Sequence, residues 1–149
     1  MNIELLNHQV LYDVHEQNIR EYSEWIMSKV QQLNPAITWL ELSLVLQDDT
    51  IRKLNNEWFQ KDTVTDVISF AYTEPPATGE VIVNMQQAKE EGELRESPDR
   101  ELALYIAHGC HHLMGAEDDT PERKKNMLKL ENAWVEEAIR TLKPGPFFL

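Results

Sequence analysis

Apolar positions along this chain alternate between helical and strand spacing. Residues 1–6 read as a short strand. Over 15–33 apolar side chains recur at Ile19, Tyr22, Ile26, Val30 and Leu33, one face of a helix, which Asn34-Pro35 ends because a residue before proline avoids the α region. Residues 38–47 alternate in part through Leu40, Leu42, Leu44 and Leu46, which predicts a strand. Asp48, Asp49 and Thr50 are capping residues for a helix over 51–59. Residues 61–65 are polar and irregular, and 66–72 is a β-branched and aromatic strand. A turn-rich loop over 74–79 leads to a strand over 80–84, a helix over 85–91 and a charged connection over 92–96. Ser97-Pro98-Asp99 opens a helix that runs to Gly115 as its C′ residue. Thr120-Pro121-Glu122 opens a last helix to about Leu142, stopped by 143–146. Four strands and about five helices in mixed order predict an α+β fold: one domain over 1–149, with a small mixed sheet and no dividing linker.

Composition agrees. With 149 residues, 42% hydrophobic and 27% charged, the chain can bury a core without disulfides. No apolar run approaches the roughly 20 residues of a membrane span, and the start Met1-Asn2-Ile3-Glu4 has no signal-peptide pattern. The single cysteine, Cys110, excludes an intramolecular disulfide and suits a reducing cytoplasm. A net charge of −12 argues against general nucleic-acid binding, which relies on lysine and arginine displacing counterions. A local basic patch, or a metal ion that reverses the field of a site, would still permit RNA.

The chemistry concentrates in His108-Gly109-Cys110-His111-His112-Leu113-Met114-Gly115-Ala116-Glu117-Asp118-Asp119. Residues four apart on a helix share a face one turn apart, so His108 and His112 can offer two imidazole nitrogens to one point. Gly115 breaks the helix, and Asp118 follows closely enough to supply a third ligand. Three protein ligands and an open position make a catalytic zinc site. On spacing alone, His111 at i+3 from His108 competes with His112. The pattern is similar to the HExxH metalloprotease helix, but Gly109 stands where that mechanism has its glutamate base, which disfavours a protease.

Three ordered blocks together resemble the YbeY family, which carries H-G-x-x-H-L-x-G-x-D-H after a T-D-V-[LI]-S-F strand and a G-[DE]-[IV] strand. The matching residues are His108-Gly109, His112-Leu113 and Gly115; Thr65-Asp66-Val67-Ile68-Ser69-Phe70; and Gly79-Glu80-Val81, with Leu54-Asn55 in the preceding helix. The resemblance runs from about Leu40 to Trp134. It implies an α+β zinc endoribonuclease that acts on single-stranded RNA, matures the 3′ end of small-subunit ribosomal RNA and serves ribosome quality control. It further implies one Zn²⁺ per chain, ribosomal or small-subunit protein partners, a cytoplasmic location, and neither a DNA nor a membrane partner. Carried over, the ligands are His108, His112 and Asp118, the last at the family's third histidine, with Asp119 as a fallback and Glu117 at the family's aspartate. A carboxylate there adds one negative charge to the ligand set. The family usually has an arginine shortly before T-D-V; Phe59 stands there, with Lys61, Arg52 and Lys53 as nearby cations. That departure motivates one alternative, a non-catalytic zinc-containing ribosome-associated factor; a second, a zinc hydrolase of another substrate, is one that the net acidity tolerates.

Catalytic candidates are Asp66, Glu80 and Lys61. Asp66 either orients a ligand histidine or, with Thr65, caps a turn. Glu80 is a base or an exposed strand residue. Cys110 reads as a small buried hydrophobe, Trp25, Trp39, Trp58 and Trp134 as core aromatics rather than base-stacking platforms, and 89–96 as a solvated face.

Overall fold

The computed structural model describes residues 1–61 and 65–149, so part of the irregular stretch 61–65 lies outside the described residues. The elements follow as β1 (Asn2–Asn7), α1 (Glu16–Gln31), β2 (Trp39–Gln47), α2 (Ile51–Phe59), β3 (Val67–Tyr72), β4 (Ala77–Asn84), α3 (Met85–Leu94), α4 (Pro98–Leu113) and α5 (Pro121–Thr141). The expected α+β class, four strands and five helices are all present.

The strands form one mixed sheet in the order β1-β2-β4-β3. β1 and β4 run parallel to β2, and β3 pairs antiparallel with β4. Side chains alternate across the sheet, so each strand feeds two layers. On one face Leu42, Leu44 and Leu46 of β2, Val81 and Val83 of β4 and Val67 of β3 pack against α1 and α4, where Ile19, Tyr22, Ile26, Leu102 and Ile106 are buried. Each such side chain contributes on the order of 1.5–3 kcal/mol by leaving water. On the other face Val45, Ile68 and Ile82 form a smaller cluster with Ile51 of α2.

Packing changes several sequence-predicted details. Leu40 is 56% exposed while Trp39 is buried, because the register shifts between Trp39 and Glu41 where β2 pairs with β4. One extra residue in a ladder reverses the alternation beyond it. Leu33 falls past the end of α1 and is exposed. β4 begins at Ala77, three residues before the expected strand, because Ala77, Thr78 and Gly79 pair with β2, and Thr78 and Gly79 with β3 as well. Such pairing overrides their turn chemistry. α3 likewise runs through Gly92 into the expected connection, since Gly92 lies against Pro98 at the start of α4. Thr50 makes no side-chain cap; its N–H donates to Asp48 Oδ1 at 2.9 Å instead.

Two helix starts behave as expected. Ser97 Oγ accepts from Arg100 N at 3.0 Å and Thr120 Oγ1 from Arg123 N at 3.1 Å. They aim α4 and α5, whose contact builds the site. Gly109 sets the depth of α4. A Cβ at that position would lie 2.5 Å from Val81 Cγ1 and 2.9 Å from Val67 Cγ2, so the helix backbone rests directly on the sheet. Ser69 Oγ–H donates to the Gly109 carbonyl at 2.8 Å and pins the same crossing.

Candidate metal centre

His108 and His112 lie in the last two turns of α4. The helix stops at Leu113, and Gly115 takes φ +90°, a left-handed conformation that turns the chain back. The returning loop carries Asp118 to the histidines. His108 Nε2 and His112 Nε2 are 3.0 Å apart, and Asp118 Oδ2 lies 3.3 Å from the first and 3.7 Å from the second.

The outer nitrogens explain this orientation. His112 Nδ1–H donates to the Ala116 carbonyl at 2.8 Å. His108 Nδ1–H donates to the Glu131 carboxylate at 3.0 Å. With Nδ1 protonated on both rings, both Nε2 atoms present lone pairs to each other beside a carboxylate. Three electron-pair donors turned to one point repel unless a cation or a proton lies among them. Nitrogen and carboxylate donors held at about 2.0–2.2 Å around a tetrahedral Zn²⁺ stand about 3.3–3.5 Å apart, close to the triangle found here. Among the described residues, this is the group of three ionisable side chains that could hold a metal ion.

Glu131 was not legible as a site residue. It sits on α5, 1% exposed, and also accepts from His111 Nδ1 at 2.8 Å. Burial works to raise the pKa of this carboxyl, but the hydrogen bonds from His108 and His111 and their charge bring it below its ordinary value. For His108 burial works to lower the pKa, and the hydrogen bond and charge of Glu131, with Asp66 and Asp118 behind them, raise it overall. The two shifts describe one tight pair. A signal was present in the sequence: Met127, Glu131, Trp134, Val135 and Ala138 form the buried stripe of α5, and Glu131 is its one acid.

The remaining sequence-predicted residues separate. His111 is buried, turned to Glu131, with its ring edge-on to Trp134 at 4.9 Å; it is not in the donor triangle. Asp119 and Glu117 both accept from Arg123 Nη1, at 2.9 and 3.0 Å, on the exposed side of the loop. Asp66 Oδ1 accepts from Val67 N at 2.9 Å and from Thr65 Oγ1 at 3.3 Å, which is the turn-capping role. Glu131, rather than Asp66, holds a histidine of the triangle. Glu80 alternates with Val81 and lies on the face opposite α4, away from the histidines. Cys110 is fully buried, with its thiol pushed up to about 12. Trp39 and Trp134 are core residues and Trp25 is partly buried against the core. Trp58 is not, at 65% exposed.

Two cavities meet at the triangle. One, of about 400 Å³, is bounded by His108, His112, Asp118, Asp66, Phe59 and Lys61. The other, of about 380 Å³, shares His108, Asp118 and Asp66 and adds Arg95, Lys124 and Glu131. Lysines thus flank both sides of the triangle in an acidic chain. Among the described residues, no helix is long and apolar enough to cross a membrane.

Known proteins with this pattern fall together. The sequence profile described as Endoribonuclease YbeY matches residues 4–138. A Myxococcus xanthus protein named endoribonuclease YbeY is 36% identical over 140 residues, 84% of this chain and 46% of that protein. One of the same name from Acaryochloris marina is 32% identical over 136 residues, 80% of this chain and 77% of its own length. The chain spans about half the length of the Myxococcus relative. The fold also matches the solution structure of a Thermotoga maritima protein, with TM-score 0.63, 22% identity, and coverage of 95% of this chain and 91% of that one.

Proposed function

The chain belongs to the YbeY endoribonuclease family, and from that premise we propose that it is a zinc-dependent endoribonuclease of single-stranded RNA, acting in ribosomal RNA 3′-end maturation. Residues 1–149 act as one domain, in the cytoplasm, with ribosomal RNA and small-subunit proteins as partners. His108, His112 and Asp118 are the ligands. The observation that carries this reading is the convergence of two Nε2 lone pairs and a carboxylate oxygen within 3.0–3.7 Å, beside open space. A zinc ion held there supplies Lewis-acid chemistry, lowering the pKa of water and polarising a phosphoryl oxygen.

The chain's own residues do the rest. Glu131 holds the His108 ring and keeps its proton on Nδ1, so Nε2 stays available. The Ala116 carbonyl does the same for His112. Lys61 and Lys124 border the two cavities and supply positive charge for a phosphate. Asp66, which lines both cavities beside His108 and Asp118, takes the proton of the attacking group.

The test is cleavage of single-stranded RNA by zinc-loaded protein beside His108→Ala, with metal content measured by elemental analysis. Cleavage by the first alone, at about one zinc per chain, supports the reading. Equal activity, or less than about half a metal per chain after gentle purification, overturns it.

A further inference from the structure

Trp58 and Phe59 end α2 with their rings in solvent, 65% and 46% exposed. Both rings rest on Phe70 of β3. Phe59 lies nearly parallel to it, with centroids 6.0 Å apart and planes at 15°; Trp58 meets it edge-on at 5.5 Å and 67°. Phe70 itself packs on the small cluster of Val45, Ile51, Ile68 and Ile82, so the exposed rings stand on a fixed base. The helix end is fixed too: Gln60 takes φ 56°, and its N–H donates to the Asn56 carbonyl at 3.0 Å. Phe59 also borders the cavity that holds His108, His112, Asp118 and Lys61.

That cavity wall offers an aromatic face, a cation and a metal-binding triangle, which correspond to the base and the phosphate of one nucleotide. An unpaired base has free π-faces, whereas a base inside a duplex has both covered by its neighbours. Stacking on an aromatic ring needs no positive charge, which suits a chain with net charge −12. We infer that Phe59, backed by Phe70, is a stacking platform for an unpaired nucleobase beside the phosphodiester at the His108–His112–Asp118 triangle. It is a substrate-positioning residue that grips the base. This inference rests on the nuclease reading for its substrate.

The test compares wild type, Phe59→Ala and Phe59→Tyr in the zinc-loaded full chain. Two probes are used: a labelled single-stranded RNA, and the same RNA carrying abasic positions. Equilibrium binding is followed by anisotropy at low salt, and cleavage by kcat and KM. Phe59→Ala is expected to weaken binding and raise KM for the intact RNA by about 5- to 100-fold. Phe59→Tyr restores both. The abasic RNA is bound less well than the intact one by wild type, and equally by Phe59→Ala. Unchanged binding in Phe59→Ala overturns the inference, as it would if the rings met a protein instead. Equal loss for intact and abasic RNA, or no RNA binding by wild type, also overturns it. Phe59-dependent binding without cleavage by wild type would sink the nuclease reading and leave the platform standing.

Discussion

Glu131 and His108 are 23 residues apart in sequence, and both carboxylate oxygens of the one lie 3.0 Å from Nδ1 of the other. The contact crosses from α5 to α4 and sets which nitrogen of His108 faces the candidate metal site. A carboxylate behind a ligating imidazole fixes its tautomer and raises its basicity. Glu131→Gln keeps the shape but removes the charge, so zinc affinity is expected to fall about 10- to 100-fold. Competition with a chromophoric chelator measures this, and an unchanged affinity would show that Glu131 acts only in packing.

His111 and His112 part company in the structure. His112→Ala is expected to lose the metal, since it removes one corner of the triangle. His111→Ala is expected to keep it and to cost about 1–3 kcal/mol of folding stability, because a buried carboxylate loses one hydrogen bond. Asp119→Ala is expected to leave metal content alone, as its carboxylate pairs with Arg123. Elemental analysis with denaturant melts separates the three. A metal-free His111→Ala would move the ligand assignment.

Gly109→Ala introduces a methyl group 2.5 Å from Val81 Cγ1, with Val67 Cγ2 close behind. The helix must lift off the sheet or the valines must shift. A loss of about 1–3 kcal/mol is expected, as for overpacked cores, together with weaker zinc binding, because His108 and His112 flank the contact. Denaturant melts of the metal-free and zinc-loaded forms check both effects. Wild-type stability would refute the close contact.

The His108–Glu131 pair gives the metal-free protein a pH window. His108 is raised above its ordinary 6.5, so its contribution is fully present below that value and is lost as pH rises through the folded pKa. Glu131 is lowered from 4.5, so its contribution is present above that value and is lost as pH falls through the folded pKa. The pair therefore stabilises most between about pH 4.5 and 6.5. Zinc needs the neutral ring and competes with the His108 proton, so as pH is lowered its affinity is expected to start falling while the pH is still above 6.5. Thermal melts of metal-free protein and zinc titrations across pH check both. Glu131→Gln should flatten the window.

The sequence by itself determined the order of the elements and the local spacing of the candidate ligands. Helical spacing placed His108 and His112 one turn apart on a common face, Gly115 predicted the break, and Asp118 followed within reach. Those relations are local, governed by backbone geometry over a few residues. What lay beyond one element was decided only by tertiary structure. His111 and His112 both lie about one helical turn from His108 along the chain, and the packing of α5, with Glu131 and Trp134, sends one ring inward and leaves the other at the triangle. The register shift in β2 buries Trp39 and exposes Leu40, since pairing with β4 outweighs alternation. Trp58 and Phe59 stand in water because β3 offers Phe70 as a footing on the sheet's edge rather than a place in the core. Periodicity encodes the direction a side chain takes from its own helix or strand; which neighbour waits in that direction depends on how all the elements pack at once.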